Sequence, residues 1–183
     1  MKTFKFMLMS LLCLFLFTSC ESDDVIENSE FLKSSFEKND VVKMIPFKGD
    51  FLSTPNDVEP IDCSNGVAVM KTNAVNGNAS HIGLIDRSIS PLIVENCDFD
   101  PSTGIITAEL NVTVKNSKGD GIRFLGTSNM NVTGPSSGNY IIVEGFGKFE
   151  GATGELSTVG FLNAAEGSAE FKVEGIITQP NRK

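Results

Sequence analysis

An all-β fold, an antiparallel up-and-down barrel of about eight strands, is predicted by three features of this 183-residue chain. Beyond Val41, short runs alternate apolar and polar residues at period two, and clusters of Gly, Asn, Asp, Ser and Pro separate them. No helical stretch intervenes between the runs. Consecutive hairpins closed on themselves leave no open edge; a two-sheet sandwich is the alternative.

The chain begins with a different texture. Lys2 and Lys5 precede the almost wholly apolar run Phe6 to Phe17, and the small residues Thr18 and Ser19 lead into Cys20. A charged start followed by a short apolar core is the build of an export signal, and the run is too short to span a bilayer comfortably. The segment resembles the lipobox of bacterial lipoproteins, with Phe17 where leucine is common and Leu16 one place earlier. That resemblance implies a signal peptide over residues 1–19, diacylation of Cys20, and a lipid-anchored chain at the outer membrane of a Gram-negative bacterium. Two or more acyl chains give the stable attachment that one does not. An ordinary secreted protein or an uncleaved anchor is the competing reading. Residues 20–40 follow as an acidic tether, opening Glu21-Ser22-Asp23-Asp24. Acids directly behind a lipidated cysteine resemble an export signal to the cell surface, so both the periplasmic and the cell-surface face remain open.

Loss of residues 1–19 removes two lysines and no acid, leaving 13 basic and 23 acidic side chains, a net charge of −10. The chain has no Trp and only Tyr140, and no basic stripe runs along any segment, so nucleic acid is excluded as a partner. Of four cysteines, Cys13 leaves with the signal and Cys20 takes lipid. Cys63 and Cys97 remain. In an oxidising compartment they either pair or stand as two buried thiols, and sequence alone leaves both open.

The barrel domain is expected over residues 41–178, with a tail at 179–183. Strands are predicted near 42–53, 66–75, 79–89, 91–97, 106–115, 122–133, 140–150, 153–162 and 168–178. The clearest is Ile106, Ala108, Leu110, Val112 and Val114 on one face, with Thr107, Glu109, Asn111 and Thr113 on the other. Turns at 116–121 and 134–139 link its successors as hairpins.

Glu144-Gly145-Phe146-Gly147-Lys148-Phe149-Glu150-Gly151-Ala152-Thr153-Gly154 is the most distinctive stretch. Gly145 and Gly147 predict a bulge or sharp coil, and Gly151 and Gly154 frame a tight turn. Followed by residues 155–163, a turn at 165–167 and residues 169–177, it resembles the C-terminal half of the allene oxide cyclase and dirigent-like barrels, and the segments 77–83 and 116–121 fit a bacterial set of that shape. The likeness is greater to exported bacterial proteins of that shape, mostly of undefined function. It covers roughly residues 77–178. Its motifs concern turns and glycines, so it implies a fold and no catalytic residue.

Candidate chemistry is sparse. His81 is the single histidine, and the strand reading sets it on one face with Gly83, Ile85 and Arg87. Glu109 and Glu144 are the carboxylates that could orient it as a base; a structural or surface histidine is the simpler reading. Asp98, Asp100, Ser102 and Glu109 match four spacings of a calcium loop, yet Thr103 stands where that loop turns on glycine, and a hairpin turn explains the residues better. Gly145-Phe146-Gly147 lacks both the third glycine and the helix of a dinucleotide loop. Asn78, Asn111 and Asn131 begin Asn-x-Ser/Thr triplets that have no consequence in a bacterium. No metal and no cofactor is expected.

The function expected is a noncatalytic binding or interaction module. Met70, Phe124, Phe146, Phe149 and Phe171 are the candidates to line a cavity for a small apolar ligand, with filled core as the alternative for the same residues. A surface protein or glycan is the other class of partner. A cofactor-independent cyclase or dirigent-like enzyme, and a purely structural surface lipoprotein, are the rivals.

Overall fold

The computed structural model describes residues 43–56, 59–132, 134–163 and 165–179. The expected signal peptide, Cys20, the expected tether and all but Gln179 of the expected tail lie outside the described residues.

Eight strands form the barrel: β1 (Lys43–Pro55), β4 (Thr72–Ala79), β6 (Pro91–Asp100), β7 (Ile105–Lys115), β8 (Gly121–Asn131), β9 (Pro135–Phe146), β10 (Thr153–Asn163) and β11 (Ser168–Gln179). Every neighbouring pair is antiparallel, and the ring closes through β1. At 13 residues β1 is long enough to pair with β11 from Lys43 to Ser53 and with β4 from Gly49 to Pro55. Outside the ring, β2 (Pro60–Asp62) and β3 (Ala68–Met70) make a small hairpin, and β5 (Gly83–Ile85) pairs along β4.

The period-two pattern does what the sequence predicts. In β7 the even-numbered residues from Ile106 to Val114 are buried, and the odd-numbered side stays partly or fully exposed. One half of the barrel is solid: Phe47, Val114, Ile122, Phe149, Val173 and Ile177 are all within 1% of complete burial. Phe149 belongs to a short 3-10 turn, Gly147–Phe149, and joins the same core cluster.

Several boundaries differ from expectation. The run 66–75 divides at Lys71, where the chain leaves the hairpin for the ring. The predicted strand 79–89 is only β5 and a 3-10 turn, Arg87–Ile89. Residues 135–139, read as turn, instead begin β9. Ser136 opposes Met130 on one side and Gly160 on the other, so pairing on both edges overrides weak strand propensity.

Candidate functional site

The other half of the barrel is hollow. A cavity of about 590 Å³ lies there, within the size range of small-molecule sites. Its walls are mostly apolar, among them Leu92, Leu110, Val112, Phe124 and Met130, and Phe124 meets Tyr140 edge-on at 5.4 Å between ring centroids. The mouth is rimmed by Val67–Met70 of the hairpin and by Ala165, Glu166 and Gly167 of the β10–β11 turn.

The hairpin is fixed over this mouth. Cys63 is bonded to Cys97 of β6, which closes a separation of 34 residues. Beside the disulfide, Phe99 N donates to Cys63 O at 2.7 Å, Asn65 Nδ2 to Phe99 O at 2.8 Å, and Ser64 Oγ to Asp98 Oδ1 at 2.6 Å. Ser64, Asn65 and Gly66 all have positive φ, a turn that Asn-Gly accommodates. The loop is therefore held to β6 covalently and by hydrogen bonds.

Polar groups occupy two opposed places on the wall. Ser128 of β8 and Thr158 of β10 flank Gly138 of β9 in register, and Tyr140, two residues along on the same inward face, belongs to this cluster. Burial pushes the Tyr140 phenol above its ordinary pKa, and hydrogen bonds with Ser128 and Thr158 oppose that rise. Four strands round the ring in either direction, on β4, sits Asn73. It is 7% exposed; its Nδ2 donates to Met70 O at 3.2 Å, while Oδ1 is buried without a partner. Among the described residues lining the cavity Glu166 alone carries a formal charge, and it is exposed at the rim.

Of the expected lining residues, Met70, Phe124 and Phe171 border the cavity. Phe149 fills the solid half instead, and Phe146 lies outside it with Lys115 Nζ 3.4 Å over its ring. The reason is a bulge. Arg123 pairs with Glu144 but Phe124 pairs with Ile142, so Val143 is an extra residue and the alternation reverses beyond it. Glu144 is thereby turned outward, where it bridges Arg123 at 3.0 Å.

None of the catalytic candidates borders the cavity. His81 lies in the exposed turn after β4 with a φ of 67°, and its Nε2 is 3.0 Å from Pro46 O. A carbonyl only accepts, so this nitrogen carries the proton. Glu109 is exposed on the outer face of β7, opposite Thr127. Asp98 accepts from Ser64, and Asp100 binds the Ser102 amide and the Ser102 and Thr103 hydroxyls, closing the hairpin turn. Among the described residues no group of three or more acidic, histidine or cysteine side chains is placed to hold a metal.

Gly145, Gly147, Gly151 and Gly154 also stand apart from the cavity. A Cβ at Gly145 would overlap the Phe149 carbonyl oxygen, and Gly147 and Gly151 take positive φ in the turns that follow β9. Sequence reasoning missed Asn73 and Tyr140. Both could have been found by register, since Asn73 alternates with buried Val75 and Tyr140 with buried Ile142.

In sequence, no protein family and no curated protein matches this chain. In structure, it is similar to the pterocarpan synthase dirigent protein PsPTS1, at 11% identity and a TM-score of 0.46, over 76% of this chain and 97% of that one. At that distance nothing about activity passes from one to the other.

Proposed function

We propose that this chain is a binding module that encloses one small, largely apolar molecule in its barrel and is carried at the outer membrane by lipid on Cys20. One observation carries the reading: half of the barrel is a cavity of about 590 Å³ walled by apolar side chains, beneath a hairpin bonded to β6. A cavity of that size has room for a ligand of roughly drug size, and its apolar surface supplies the driving force. The lipobox-like segment ending at Cys20 supports the anchor. The turn and glycine motifs at roughly 77–178, which resemble the allene oxide cyclase and dirigent-like barrels and, more closely, exported bacterial proteins of that shape, support the same view of the domain.

Tyr140 favours a second reading. Its buried phenol, protonated at neutral pH, could donate to an intermediate, as a cofactor-independent enzyme that shapes a reactive molecule would require. The first reading is preferred because His81, Glu109 and Glu144, the other candidates for proton transfer, stand away from the cavity. Native mass spectrometry of the chain extracted from its own envelope tests the proposal. One noncovalent small molecule per chain is the expected result, lost when Ala169, which faces the cavity from β11, is replaced by Trp. A ligand retained by Ala169→Trp contradicts it.

A further inference from the structure

Resting on that reading, we infer that the molecule enclosed is not an anion and carries a hydroxyl or other O–H or N–H donor, which Asn73 receives through its Oδ1. The orientation of the amide follows from chemistry. Met70 O can only accept, so the Asn73 atom facing it at 3.2 Å must be the Nδ2 donor, and the acceptor is left over. Buried acceptors without donors are uncommon and costly, and a cavity wall is where a ligand can supply the missing bond. The oxygen is recessed. The torsion that turns an asparagine amide is broad, so a small rotation uncovers the oxygen while the long Met70 bond adjusts. A slender end group such as a hydroxyl fits this approach.

The rest of the wall bears on charge. Among the described residues no lysine, arginine or histidine lines the cavity, and the one charged residue is the acid Glu166. A carboxylate ligand would lose its hydration and gain no cationic partner, and it would face a lone-pair oxygen at Asn73. Opposite in the ring, Ser128 Oγ donates to Ser137 O of β9 at 3.2 Å, and among the described residues the buried, partnerless polar atom of the cavity wall is Asn73 Oδ1, so the unmet demand lies there.

Three probes of equal chain length test this by titration of the full chain, read from the fluorescence of its only tyrosine, Tyr140, which no tryptophan obscures. They are 1-dodecanol, methyl undecyl ether and dodecanoate at pH 7. The alcohol should bind at least about tenfold more tightly than the ether, and dodecanoate more weakly than either, because a site that offers an unpaired polar group discriminates against a ligand lacking its complement. In Asn73→Leu the alcohol-to-ether ratio should fall to about one. Asn73→Val serves the same comparison if the Leu variant fails to fold. Equal binding of alcohol and ether by the unaltered chain overturns the inference while leaving the binding module intact; so does a preference that survives at Asn73→Leu or Asn73→Val. Binding of none of the three overturns both.

Discussion

Tyr140 occupies the space that a side chain at Gly138 would need. A Cβ built on Gly138 would stand 2.8 Å from Tyr140 Cε2 and 2.9 Å from its hydroxyl oxygen, and 2.8 Å from the Thr127 carbonyl oxygen of the neighbouring strand. The absent side chain lets the phenol lie between Ser128 and Thr158 and sets the shape of one cavity wall. Gly138→Ala should therefore displace the ring, at a cost of about 1 to 3 kcal/mol, the usual range for overpacking. Urea unfolding checks the stability, and an altered near-ultraviolet signal from Tyr140 checks the displacement. An unchanged midpoint and signal would mean that the added methyl is accommodated without moving the ring, and would contradict this expectation.

The same phenol gives a pH dependence with a definite sign. Its folded pKa is raised by burial, so above the ordinary tyrosine pKa the unfolded chain has lost its proton while the folded chain still holds it. Stability from this group is complete below the unfolded pKa and falls as pH rises toward the folded one. Alkaline titration of phenolate absorbance should show a folded-state midpoint above that of the urea-unfolded chain. Tyr140→Phe should abolish the phenolate signal altogether, since no other tyrosine is present.

The Cys63–Cys97 bond closes 34 residues between the hairpin and β6, for which the chain-entropy model gives about 3 to 4 kcal/mol. The hairpin is not a member of the ring, so the double variant Cys63→Ala, Cys97→Ala should keep its β-sheet circular dichroism while its urea midpoint drops. Ligand dissociation should accelerate several-fold as the cover over the mouth loosens. A dissociation rate unchanged by the double variant would separate the hairpin from ligand retention.

Much of the ring was legible because seven of its strands carry a face that must be buried, and burial imposes period two. The hairpin was not: β2 and β3 have three residues each, too few to express a period. His81 was read onto a strand face with Gly83, Ile85 and Arg87, yet the chain turns at 80–82 and His81 takes a φ of 67°. Phe146 was misplaced for a different reason. The bulge at Val143 depends on the partner strand, and one strand's sequence does not reveal where a neighbour will skip a residue. Asn73 was hidden by being polar, since a search for apolar faces passes over an inward residue whose hydrogen bonding is incomplete.

Cys20→Ala should release the protein from membranes without altering its fold, because the proposed anchor is acyl chains on that sulfur. Membrane fractionation with metabolic palmitate labelling measures it. A variant that still pellets with membranes and still takes label would remove the lipoprotein reading.

The central claim is that the barrel holds one small apolar molecule, and the most direct measurement is titration with the neutral fluorophore N-phenyl-1-naphthylamine. The account predicts saturable enhancement at one site per chain with micromolar affinity. In Ala169→Trp, whose indole would fill the cavity from β11, enhancement should fall at least about tenfold with the β-sheet signal retained. No saturable binding by the unaltered chain, or undiminished binding by the filled variant, would contradict it.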